Sequence, residues 1–437
     1  MKFAAALTCA LVLAVPAFAQ TPPPIDPRSR AEAVAAAIEA EYFDPAKAAK
    51  IAADLRREAE AGAFDHLRDP RDFAGAMTAR LRPLDGHFAV QWEPPRAGRP
   101  APRGFDPVAF EAMAKRNNHG FRSVEVLPGN IGYVDMRMFA HFEGGDGPAR
   151  AKADAVMALL ADTDAVIFDL RDNGGGSPAM VGYLVNHFVP AGADVYNTFK
   201  GRGPDQYERP TAEPRGQRRL EVPVLVVTSG RTASAAESFA YTLQAAKRAT
   251  VVGEATAGGA NPGGTHPVGE GLSIFISFGT PVNPITKANW EGSGVIPDVA
   301  VPASEALARA QALALKRLAE RPAPEPVATE NRWVLEALER PPAAAGDLQA
   351  YVGTYGALSI ARTSEGLELR QGRRPPVALV SLDGEGLFTA KDAPLRRFRF
   401  ERPAGGGPAE ALVTLSPDGV ASRHLRSAAV AAASEPH

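Results

Sequence analysis

Two short apolar runs, each released into a helix through a loop of small residues, constrain this chain more than any other feature of its 437 residues. Residues 165–170 make a run short enough for a fully buried strand, followed after Arg171 and Asp172 by Asn173-Gly174-Gly175-Gly176-Ser177-Pro178. Ser177 is placed to cap the next helix, and Pro178 falls in the first turn, where a missing N–H costs nothing. Residues 222–228 form the most apolar strand, followed by Ser229-Gly230-Arg231-Thr232 and a helix expected over about 233–247. Around them, 131–138 alternates apolar and polar like a half-buried strand, and 149–161 is amphipathic at helical spacing. Residues 250–253 and 272–278 read as strands, and 305–319 as a closing helix. Strands and helices in alternation predict an α/β core with a mostly parallel sheet, spanning 124–320.

The flanks have a different texture. In 29–93 the pairs Val34/Ile38, Ile51/Leu55 and Phe73/Met77 recur at spacing four, and Pro45 and Asp69-Pro70-Arg71 divide the stretch into about three helices. A helical N-terminal domain is expected there, then a linker or loop over 94–123 that starts Pro-rich. A second linker, 321–345, carries one short helix near 333–339. Residues 346–427 read as β only, with runs at 358–360, 367–369, 377–380, 398–400 and 412–415 separated by turn residues. They predict a small antiparallel barrel or sandwich, followed by a tail at 428–437.

The 45% hydrophobic share supports real cores, and 48 basic against 50 acidic residues leave no strong field for nucleic acid or an anionic membrane. The single cysteine, Cys9, lies in a segment with Lys2, an apolar run over 4–15 and an Ala17-Phe18-Ala19 exit. That pattern predicts a signal peptide, 1–19, cut after Ala19 and too short to span a bilayer, with a Pro-rich leader over 20–28. The expected product is exported, periplasmic or secreted. It lacks cysteine, and so lacks disulfides, thiol nucleophiles and thiolate metal sites. No H-E-x-x-H or close His/Asp cluster suggests metal catalysis, and no cofactor is expected.

In parallel sheets, ligands gather beyond the carboxyl ends of strands. The glycines of Asp169-Leu170-Arg171-Asp172-Asn173-Gly174-Gly175-Gly176 suit an anion or oxyanion held by bare N–H groups, and equally a tight turn. Gly174, Gly176 and Ala179 also fit a G-x-G-x-x-A dinucleotide pattern, weakly, because three polar residues separate it from the strand. At the second exit Ser234 meets the positive end of a helix dipole, and with Glu237 it also spells a capping box. A nucleophilic serine needs a base, and none of the eight histidines is singled out by its own surroundings. His87 stands in the turn Leu84-Asp85-Gly86-His87-Phe88, and His266 in a Gly-rich loop. Asp85 and Arg171 read as turn-forming or ion-paired residues.

Asp-Leu-Arg-Asp-Asn-Gly-Gly-Gly, Thr-Ala-Ser-Ala-Ala-Glu and Val-Val-Gly-Glu-Ala-Thr together resemble the C-terminal processing (tail-specific) serine peptidases. The resemblance implies a crotonase-like core and peptide or protein substrates. Many relatives carry a lysine base in a Thr-x-Gly-Lys stretch, where this chain has Thr256-Ala257-Gly258-Gly259. Asp85-Gly86-His87 and Asn289-Trp290-Glu291-Gly292-Ser293-Gly294 are instead similar to the branch of the tricorn core protease and interphotoreceptor retinoid-binding protein. That branch implies Ser234 as nucleophile, His87 as general base and Glu291 orienting His87. It also implies an oxyanion hole from the N–H groups of Gly175 or Gly176 and Ala235. His266 is the second candidate for the base. A non-catalytic binder of an apolar ligand on the same fold, or an esterase, are the alternative expectations.

Overall fold

Three Asp-Pro pairs start the three N-terminal helices. Asp26, Asp44 and Asp69 each cap a helix by accepting N–H groups of its first turn, and a proline occupies the next position each time. Each cap is worth about 1 kcal/mol. The helices are Pro27–Glu41, Pro45–Glu60 and Pro70–Leu81, and the six residues at spacing four are all buried in one cluster with Phe88 and Val90.

The computed structural model describes residues 22–94, 107–142, 145–210, 212–340, 343 and 346–427. The expected signal peptide, residues 95–106 of the 94–123 linker and the 428–437 tail lie outside them. No helix among the described residues is long and apolar enough to cross a membrane.

The chain divides into two units, one containing the N-terminal segment and Gly263–Phe278, the other Phe105–Pro262 and Gly279–His437. The first unit corrects the sequence expectation at one point. Strand Leu272–Ser277, read as part of the core sheet, pairs antiparallel with Ala89–Trp92 on one side and Gly263–Gly269 on the other. Its inward residues Ile274 and Ile276 fill the helical cluster. The N-terminal region therefore carries a three-stranded sheet as well as helices.

In the second unit, strands Ile131–Met136, Ala165–Asp169, Val224–Thr228, Ala249–Gly253 and Val299–Ala300 run parallel, with Phe121–Leu127 antiparallel at one edge. Ile131–Met136 is buried along its whole length, where half-burial was expected. Val134, Met136, Val166, Phe168, Val224 and Val226 pack into one cluster, and Ile131, Tyr133, Ile167, Leu225 and Val227 into another. Side chains alternate between two covered faces, so what reads as polar alternation is a sheet buried on both sides.

The C-terminal region is an eight-stranded antiparallel meander over Gly353–Leu425, with strands at Gly353–Tyr355, Leu387–Ala390 and Ala421–Leu425 beyond the five expected. The first and last strands meet through a bridge between Tyr355 and Arg426, which closes a barrel around Tyr355, Phe388, Phe398 and Phe400. Helix Glu325–Glu339 docks on it: Arg397 lies 4.4 Å over the Trp333 ring and pairs with Glu336 at 2.8 Å.

Candidate active site

Strand Ala165–Asp169 ends in a loop held by Asn173. Its buried side chain donates to Met136 O at 2.9 Å and accepts the Gly175 N–H at 2.9 Å, while its carbonyl accepts the Ala233 N–H at 3.0 Å. One residue therefore ties the glycine loop to the neighbouring strand and to the Ser234 turn. Sequence reading placed Asn173 in the motif and gave it no role.

The glycines are not equivalent. A Cβ on Gly174 would meet nothing within 4 Å. Gly175, at φ +112°, lies so close to Ser234 that an added Cβ would sit 2.7 Å from the serine Cβ and 3.1 Å from Ala235 N. Gly176, at φ +137°, presses on Phe139, whose carbonyl oxygen would be 2.1 Å from an added Cβ. Phe139 N–H donates to Gly175 O and Ser177 N–H to Phe139 O, the two bonds of a parallel bridge that flank Gly176. The N–H of Gly176 thus points away from Phe139, and no acceptor among the described residues takes it. This corrects the expectation for Gly175 as an oxyanion donor, because its N–H is already bonded to Asn173. Gly176 keeps the role open.

Ser234 ends the turn after Val224–Thr228 and begins helix Ala235–Ala245. Its backbone, at φ 55° and ψ −121°, lies in a region that non-glycine residues enter only under strain of about 1–3 kcal/mol. The residue is exposed, and its N–H donates to Glu237 Oε2 at 2.7 Å. Ala235 N–H opens the helix beside Gly175, with no acceptor among the described residues. The Glu237 half of the expected capping box is therefore made, but the glutamate does more than cap. Fully buried, it also accepts Thr256 Oγ1 at 2.5 Å, Gly258 N–H at 2.7 Å and Gly259 N–H at 2.9 Å. The stretch where many relatives would carry a lysine is thereby bound to the Ser234 turn through main-chain donors.

Glu291, half-buried, is held by the same loops. Its Oε2 accepts Ala260 N–H at 2.9 Å and Asn261 N–H at 3.1 Å, and its own N–H donates to Asn289 at 2.8 Å. Gly292 N–H donates to Gly258 O, and Gly294 sits where a Cβ would meet Thr256 O at 2.3 Å. Asp298 closes the motif by accepting Val251 N–H at 2.7 Å. Arg171, read as ion-paired, bonds Asp169 at 2.6 Å and Ala303 O at 2.7 Å. His141, given no role from sequence, stands beside the glycine loop with Nδ1 3.0 Å from Ser177 Oγ.

In the first unit, His87 follows Asp85 in a turn closed by Phe88 N–H donating to Asp85 O at 3.1 Å. Asp85 Oδ1 accepts the His87 N–H at 2.9 Å and lies 3.2 Å from His87 Nδ1. Burial pushes the Asp85 carboxyl up, but the ring and backbone N–H groups of His87 outweigh it and hold it at about 2. His266 lies on strand Gly263–Gly269, half-buried, with Nε2 enclosed and no hydrogen-bond partner among the described residues.

Residues 130–301 match the model of peptidase family S41. Over 173 residues the chain is 29% identical to the carboxyl-terminal-processing peptidase 1, chloroplastic, of Arabidopsis thaliana, covering 39% of this chain and 33% of that one. Over 175 residues it is 27% identical to the carboxy-terminal-processing protease of Bartonella bacilliformis, covering 40% and 39%. The match thus spans well under half the length of either relative. Among solved structures, the photosystem II D1 C-terminal processing protease superposes with a TM-score of 0.41 at 16% identity, over 64% of this chain and 94% of that one. It is through residues 130–301, the stretch that holds both strand exits, Ser234 and Glu291, that this chain is matched to peptidase family S41.

Proposed function

We propose that this chain is an exported serine peptidase that hydrolyses peptide bonds of peptide or protein substrates through an acyl-enzyme. One observation carries the reading: an exposed serine in a strained turn at a helix N-terminus, beside two main-chain N–H groups that have no acceptor among the described residues. The family match supports the reaction class. In this reading Ser234 Oγ attacks the scissile carbonyl while His87 takes its proton. The Gly176 and Ala235 N–H groups receive the oxyanion, an interaction realised fully only in the transition state. The Glu291 carboxylate stabilises the imidazolium, which then protonates the leaving amine. Water attacks the acyl-enzyme with His87 again as base and releases Ser234. Export rests on the Lys2, 4–15 and Ala17-Phe18-Ala19 pattern.

The test is covalent labelling by a fluorophosphonate probe together with peptide cleavage. The folded protein is expected to label, with Ser234→Ala and His87→Ala each losing label and about 10⁴-fold or more in turnover. A folded protein that neither labels nor cleaves any member of a broad peptide panel would sink the assignment.

A further inference from the structure

We propose that Asp85 is a positioning residue that fixes His87 in the tautomer with its proton on Nδ1, leaving the Nε2 lone pair for the Ser234 hydroxyl. The proposal deepens the reading above and rests on His87 as the base. Resemblance gave Glu291 the orienting role; the geometry of the turn itself points to the aspartate.

Asp85 and His87 are two residues apart with Gly86 between them, so the carboxylate folds back over its own turn. One oxygen, Oδ1, accepts the His87 backbone N–H at 2.9 Å and faces Nδ1 at 3.2 Å. The Asp85 side chain is 1% exposed and the His87 ring 22%. An ionised carboxylate can only accept, so the nitrogen facing it must carry the proton. The low value of the Asp85 carboxyl keeps that condition met through the whole range where a peptidase works. Second-sphere carboxylates fix imidazole tautomers in the same way elsewhere.

The turn has little freedom to release the pair. Lys47 Nζ donates to Leu84 O at 2.6 Å, Tyr42 stacks on Phe88 at 5.2 Å, and the Phe275 ring stacks on His87 at 6.3 Å. Lys47 is thus the cation that the neighbouring helix brings to this turn, and His266 is the titratable group on the edge strand of the adjoining sheet.

The test combines ¹⁵N-histidine NMR with kinetics on the full chain. The wild type is expected to show neutral His87 as the Nδ1–H tautomer, a readout that needs no variant to fold. Asp85→Asn retains an oxygen for the turn but loses the charge. It is expected to cut kcat by about 10²–10⁴-fold with KM little changed. It should also lower the His87 titration midpoint, seen by NMR and in the acid limb of kcat/KM, by about one pH unit. A purely structural Asp85 would lower the urea midpoint without moving that titration. An Nε2–H tautomer in the wild type, or Asp85→Asn with wild-type kcat and an unmoved titration, overturns the proposal. Turnover retained in His87→Ala would instead overturn the choice of base and the kinetic consequence with it, while tautomer and titration would still report on the Asp85 contact alone.

Discussion

Glu237 and Glu208 are both closed off from solvent, both touch helix Ala235–Ala245, and among the described residues neither bonds a lysine or arginine. Their donors differ. Glu237 receives four, three of them main-chain N–H groups fixed by the loops that carry Ser234 and residues 258–259. Glu208 is served, among the described residues, by two only: Asn197 Nδ2 donates at 2.8 Å and Ser238 Oγ at 2.6 Å, with the Asn197 main chain adding to them. Burial pushes the Glu208 carboxyl up to about 7, against the pull of Ser238 and Asn197. Two acids on one helix thus serve different ends: Glu237 organises loops, and the buried Glu208 carboxyl holds a proton into the neutral range. Glu237 takes three of its four donors from main chain that the fold itself fixes, whereas at Glu208 burial outweighs what Ser238 and Asn197 donate.

The comparison is broken most directly at Glu237. Glu237→Ala leaves four donors without their acceptor, each costing about 1–3 kcal/mol when it stays buried. Urea unfolding should show a loss of about 4 kcal/mol or more together with loss of probe labelling at Ser234. A mild loss with full labelling would mean the loops hold themselves. The next effect is at Glu208. An unfolded glutamate titrates near about 4.3, so stability drawn from the retained proton is complete below that value and disappears as pH rises to about 7. Unfolding measured from pH 4 to 8 should show wild type losing roughly 3 kcal/mol relative to Glu208→Gln across that window. A flat difference would mean that Glu208 does not keep its proton in the folded state. The smallest effect belongs to Thr256→Val, which removes one donor from Glu237 and the acceptor of Val295 N–H. Urea unfolding should show a loss of about 1–2 kcal/mol.

Much of this architecture was legible where the signal is local. Spacing four placed Val34, Ile38, Ile51, Leu55, Phe73 and Met77 in one core. The two strand exits were found from apolar runs and small residues alone. What escaped was long-range pairing. Leu272–Ser277 reads correctly as a strand, yet nothing in its residues says that its partner is Ala89–Trp92, some 180 positions upstream, rather than the core sheet. Asp85 was legible as a turn residue, and the same carboxylate that makes the turn also reaches the imidazole, a double use invisible to a pattern. Gly175 and Gly176 looked interchangeable until Asn173 was seen to take the N–H of the first. Glu237 spelled a cap; its three further donors arrive from beyond residue 255.

The bridge between Tyr355 and Arg426 has a consequence for how the C-terminal region is attached. Ser427 N–H donates to Thr354 O at 2.8 Å, and Arg426 reaches Val352 O at 2.7 Å, so the polypeptide comes into the barrel and departs from it at neighbouring points. A module with adjacent doorways needs only one seam to its host.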